Sequence, residues 1–140
     1  MTGTIEEGAV ETRGDTHVRH WLLRVPQPVD EVWAAMATPE GLVGWLARAE
    51  VFEPRLGGAV DLRGLGTGRI TAWDVERVAE YTMESRGRVR FHLEPAPPDH
   101  TGSGTTVRFT HEYEGDYAPG PWRIRFERLL TLLTDFRNMP

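Results

Sequence analysis

The sequence predicts an α+β domain of two layers, with an antiparallel sheet covered on one face by helices. Three observations predict it. The apolar repeat is helical over residues 29–46, switches to a period of two between 49 and 113, and returns to helical over 121–137. In the middle stretch, short apolar runs are separated by turn residues at hairpin spacing. Two of those runs alternate strictly, which requires a sheet with one buried and one wet face.

Each element has its own signal. Residues 1–15 carry only two sizeable aliphatics, Ile5 and Val10, among Gly, Thr and Glu. They are expected to be a flexible N-terminal segment, or a loosely attached extra edge strand, ahead of a single domain spanning 16–140. Residues 17–25, HVRHWLLRV, place Trp21, Leu23 and Val25 in one parity, and Pro26 and Pro28 close the strand. Pro28 suits the first position of a helix, where its missing N–H costs nothing. Val29, Val32, Trp33 and Met36 then follow at i, i+3, i+4 and i+7 on one face. Thr38 is a candidate N-cap and Pro39 a first residue for a second short helix, with Leu42, Trp45 and Leu46 on its apolar side.

Strands are expected at 50–53, 59–63, 68–74, 78–84, 88–94 and 105–113. Val89, Phe91 and Leu93 point one way, and Arg88, Arg90, His92 and Glu94 the other. Val107, Phe109, His111 and Tyr113 share a face. In the closing helix, Trp122, Phe126, Leu129, Leu130, Leu133 and Phe136 fall in one stripe, with Arg123, Glu127, Thr131 and Thr134 opposite. A curved sheet of about six or seven strands gripping this long C-terminal helix, with two short helices after the first strand, leaves space between sheet and helix. An internal cavity is therefore expected.

Composition excludes several functions. The 140 residues contain no Cys, which removes disulfides, thiolate metal sites and cysteine nucleophiles. All 16 basic residues are Arg, so Schiff-base chemistry and a phosphate-loop lysine are absent. The formal net charge of −5 disfavours nonspecific nucleic-acid or anionic-membrane binding. The polar, acidic start does not resemble a secretory signal. No apolar run approaches the ~20 residues of a membrane span. A cytoplasmic protein is expected.

Several segments, in order, carry a resemblance: PVDEVWAAMATPEGLVGWL at 28–46, RLGG at 55–58, GRITAWD at 68–74, FHLEP at 91–95, GTTVRFTHE at 104–112, and the helix headed by Gly120-Pro121-Trp122. Over residues 17–137 the chain resembles the helix-grip superfamily of START domains, birch-pollen-allergen-like proteins and polyketide cyclases (SRPBCC). Within it, the similarity is to the branch named for the activator of the heat-shock-protein-90 ATPase. The resemblance implies a helix-grip fold on a scaffold shared by binders, cyclases and co-chaperones. Two departures stand out: Met83 replaces a Trp common at the end of the fifth strand, and the loop from Pro95 to Gly104 is long and proline-rich.

Candidate site residues follow from parity. His111 faces inward among apolar neighbours, as a ligand-binding or acid–base group or as a histidine bonded to nearby backbone. Arg125, at the edge of the helical stripe, reaches a ligand carboxylate or lays its stem over the core. Trp45, Tyr81, Met83, Phe91, Leu93, Phe109, Tyr113, Trp122, Phe126 and Leu129 complete the expected ligand-binding lining. His111, Tyr81 and Arg125 are the catalytic candidates. Arg86, Arg88, Arg90 and Arg108 form an outward basic stripe interleaved with Glu84 and Glu94. Gly64–Gly68 reads as a hairpin turn, because no lysine or helix follows it. His17, His20, His92 and His100 lack metal-ligand spacing, so no metal and no cofactor is expected.

These residues support three functional readings: binding of a small hydrophobic or amphipathic molecule, a polyketide aromatase/cyclase-like enzyme, and a stress-response or chaperone-associated partner protein. A homodimer through the sheet edge or a helix face stays open.

Overall fold

A computed structural model describes residues 3–85, 87–96, 104–115 and 121–138, with side chains described as far as residue 134. The elements are β1 (Thr4–Arg13), β2 (Thr16–Val25), α1 (Val29–Ala37), α2 (Pro39–Leu42), β3 (Ala49–Phe52), β4 (Ala59–Leu62), β5 (Gly66–Asp74), β6 (Val78–Met83), β7 (Gly87–Pro95), β8 (Thr105–Glu114) and α3 (Trp122–Asn138). All eight strands form one antiparallel sheet in the order β1-β2-β8-β7-β6-β5-β4-β3.

The strand count exceeds the expected six or seven because residues 4–13 are β1, an edge strand paired along β2. For these residues the flexible-segment reading is corrected in favour of the edge strand. The reason is local: Gly14, at φ 59°, and Asp15 make a two-residue hairpin turn between the paired Arg13 and Thr16. Two ion pairs across the hairpin, Arg19–Glu7 and Arg24–Glu6, both at 2.7 Å, add to the ladder. Ile5 packs on the core.

The sheet curves, and its bulges supply bends. Register shifts occur between Glu7 and Val10, Ala49 and Val51, and Ile70 and Ala72. At the last of these, Thr71 is the extra residue, so Ile70 and Trp73 both oppose inward-facing partners, Tyr81 and Ala79. The inner face carries Trp21, Leu23, Val25, Tyr81, Val89, Phe91, Leu93, Val107 and Phe109, all buried. The outer face is charged and paired: Arg90–Glu80 at 3.8 Å, Arg108–Glu94 at 3.7 Å, and Arg88 with Glu112. Among the described residues of the expected basic stripe, each arginine therefore has an acidic partner.

The helices cover the inner face. α1 begins one residue later than expected, with Pro28 as its N-cap and the Pro28 carbonyl accepting from Glu31 and Val32, both at 3.1 Å. Val32 and Met36 are fully buried, each contributing about 1.5–3 kcal/mol. Thr38 caps α2 as expected, accepting from the Gly41 N–H at 3.0 Å and donating to the Ala34 carbonyl at 2.7 Å. Gly41 is required there, because a Cβ would lie 2.1 Å from the Ala34 carbonyl oxygen. The indole of Trp45 donates to the Ala35 carbonyl at 2.8 Å, which locks the segment after α2 to α1.

Candidate functional site

The site grows from the face shared by β8 and α3. Alternation along β8 sends Val107, Phe109 and His111 into the core, and Tyr113, half-buried, to its rim. The helical period of α3 brings Trp122, Phe126 and Leu129 down onto them. Phe109 lies at the centre, with ring centroids 4.6 Å from Trp122, 5.1 Å from Phe126 and 5.2 Å from Phe91. Trp45 closes the cluster, 5.7 Å from Phe91 and 6.1 Å from Phe126. Leu93 and Leu129 are buried in the same core. The rings touch, so the space expected between sheet and helix is occupied here by side chains. A parity argument assigns direction, not the volume the rings fill.

Two buried polar groups tie helices to the sheet. The Tyr81 hydroxyl, wholly buried, donates to the Met36 carbonyl of α1 at 2.6 Å. Burial pushes its phenol pKa well above the ordinary value, so it stays protonated at neutral pH. His111, 1% exposed, accepts at Nδ1 from the Trp122 indole N–H at 3.1 Å. An indole only donates, so a neutral His111 carries its proton on Nε2. Arg125 is half-buried, and its guanidinium carbon stands 5.0 Å from the centre of the Trp122 ring in a cation–π contact.

Several clefts open on the surface, one of about 650 Å³ beside Val75 and Leu93, and another lies at the mouth of the grip. The latter, of about 610 Å³, is bounded by Thr16, the run from Thr82 to Ser85, Gly87, Arg88, and Glu112 to Glu114. Of the expected site residues, Met83 and Tyr113 line it. From there an aromatic row leads inward: His17 to Tyr113 at 5.2 Å, Tyr113 to His111 at 5.0 Å, and His111 to Trp122 at 5.4 Å. On the polar rim of the cleft, Arg88 and Glu84 belong to the expected outward stripe, while Glu112 was not among the expected site residues. The hydrogen bond to Glu112 raises the pKa of Arg88, while Thr67 donates to Glu84 at 2.7 Å. Gly87, at φ 79°, lets the turn approach β8: a Cβ there would meet the Glu112 carbonyl oxygen at 2.1 Å. The signal for this rim was the shared end of the hairpins, where the β6–β7 turn, the end of β8 and the start of β2 converge.

Other expectations fall differently. His17 and His20 take opposite sides of β2; His20 is 3.7 Å from Glu11 on the outer face. His92 is 3.6 Å from Glu94. Arg86, His100, the residues between 97 and 103, and the loop at 116–120 lie outside the described residues, as does the side chain of Phe136. Among the described residues, no group of three or more His, Asp or Glu is arranged to hold a metal ion. Nor is any helix among them long and apolar enough to cross a membrane.

A curved antiparallel sheet closed on a long C-terminal helix defines a helix-grip protein, and solved structures share this architecture. CalU16 from Micromonospora echinospora is similar over 96% of this chain and 88% of its own, at 21% identity and a TM-score of 0.70. A conserved protein of unknown function from Enterococcus faecalis, EF2215, is similar over 91% of this chain and 77% of its own, at 15% identity and a TM-score of 0.76. DynU16, described as a protein of the dynemicin biosynthetic locus, is similar at 18% identity and a TM-score of 0.63, over 84% of this chain and 47% of its own. No protein-family model matches the chain, and no curated protein matches it. At these identities the likeness establishes the fold.

Proposed function

We propose that the chain binds a small hydrophobic or amphipathic molecule at the mouth of the grip, within the SRPBCC branch named for the activator of the heat-shock-protein-90 ATPase. One observation carries this reading: the cleft has the size of a small-molecule site and touches two inward-facing residues, Met83 and Tyr113. The apolar end of the ligand packs on Met83 and the Tyr113 ring. Its polar end meets Arg88, Glu84 and Glu112 at the rim. Native mass spectrometry of the gently purified protein, followed by titration with dodecanoate and an anilinonaphthalene sulfonate dye, tests it. Binding that is lost in Met83→Arg supports the cleft. Unchanged binding in that variant, or none in the parent, counts against it.

A second reading, a polyketide aromatase/cyclase-like enzyme, draws on His111 and on the biosynthetic locus of DynU16. His111 would move the proton, with Tyr81 and Arg125 as its candidate helpers. Tyr81 fits this poorly, because its hydroxyl is committed to the Met36 carbonyl. Turnover unaffected by His111→Gln would end this reading. A stress-response or chaperone-associated role gains little from the outer face, where ion pairs replace the apolar patch a docking surface needs.

A further inference from the structure

We propose that Trp122 is an exchangeable plug: its indole fills an aromatic seat that a ligand takes, and His111 Nδ1 selects a planar ring bearing one N–H or O–H donor. The proposal rests on the ligand-binding reading and names the ligand class.

Trp122 differs from the other buried tryptophan whose N–H is bonded. Trp45 donates to a backbone carbonyl, so its bond is part of the helix frame. Trp122 donates to a side chain, and that bond can be exchanged without breaking any secondary structure. Trp122 is also the first residue of α3, so turning it out perturbs one helix end. Around the indole, the seat is aromatic on several sides: Phe109 at 4.6 Å, Phe126 stacked at 5.8 Å, and His111 at 5.4 Å, with the Arg125 guanidinium over the ring. Tyr113 links this seat to the cleft, since it lines the cleft and contacts His111. A ligand entering past Tyr113 reaches the seat only where the indole stands. The buried imidazole acceptor then discriminates, because a ring without a donor forfeits the hydrogen bond that the Trp122 indole makes to Nδ1.

Indole and indene test this, as near-isosteric rings that differ in the N–H. Nitrogen-edited NMR of the parent protein follows the Trp122 side-chain N–H. The expected result is indole binding about tenfold tighter than indene, which is one buried hydrogen bond, with the Trp122 signal displaced. Trp122→Phe keeps a ring but removes the competing donor, and should bind indole more tightly than the parent. His111→Leu should bind both rings equally. Equal binding of indole and indene by the parent overturns the proposal. So does a Trp122 signal that stays fixed while Tyr113 and Met83 respond, an outcome that leaves the cleft reading standing. If neither ring, dodecanoate nor the dye perturbs any of these residues, both readings fall. The parent comparison needs no variant to fold.

Discussion

At the residue scale, Tyr81 and His111 show what a polar group does inside an aromatic core. Each spends a hydrogen bond on holding a helix to the sheet. Replacing Tyr81 with Phe leaves the Met36 carbonyl without its donor, and should cost about 1–3 kcal/mol in urea unfolding. Tyr81 also sets a pH dependence. Its folded pKa is raised above the unfolded value of about 10. The stabilisation is therefore complete below that pH and is lost as pH rises beyond it, because the unfolded phenol ionises while the folded one stays neutral. Urea midpoints should fall between about pH 9 and pH 11, and part of the fall should vanish in Tyr81→Phe. Alternation made the orientation of such residues readable in the sequence. It could not tell which partner each polar atom takes, because Met36 lies 45 residues before Tyr81 and the Trp122 indole reaches His111 only through the docking of α3 on the sheet.

At the element scale, caps and turns were the most legible features. Thr38-Pro39 announced α2, and the structure uses Thr38 as read. Thr38→Ala should lower stability by about 1 kcal/mol through the lost cap. Gly41→Ala should do more, about 1–3 kcal/mol in thermal or urea melts, since the added Cβ collides with backbone atoms of α1. β1 was hard to read because its strand lacks apolar alternation: Glu6, Glu7, Gly8 and Glu11 hide it, and its pairing depends on β2. Only Gly14-Asp15 marks the hairpin. The charges of β1 suit an outer strand, since charge discourages edge-to-edge association.

At the scale of the whole molecule, the switch from helical to alternating period and back was enough to specify the grip. How tightly the grip closes was not readable, because closure depends on the summed volume of rings brought together from β7, β8, α3 and the segment after α2. The same packing yields a prediction. Phe109 touches Phe91, Trp122 and Phe126 at once, so Phe109→Ala should cost about 3–5 kcal/mol in urea unfolding and leave a dry hollow. That variant should then bind benzene, with a rise in melting temperature that grows with benzene concentration.

The single surplus residue at Thr71 has a consequence for the far end of the fold. Odd and even positions trade places there, which is how Trp73 comes to meet Trp33 at 5.1 Å and Phe52 at 6.2 Å. Were Thr71 paired as a regular ladder residue instead of bulging, strict alternation from Ile70 would carry that indole to the wet side. The seam joining the first helix to the strands at the sheet's opposite margin would then lose its middle stitch.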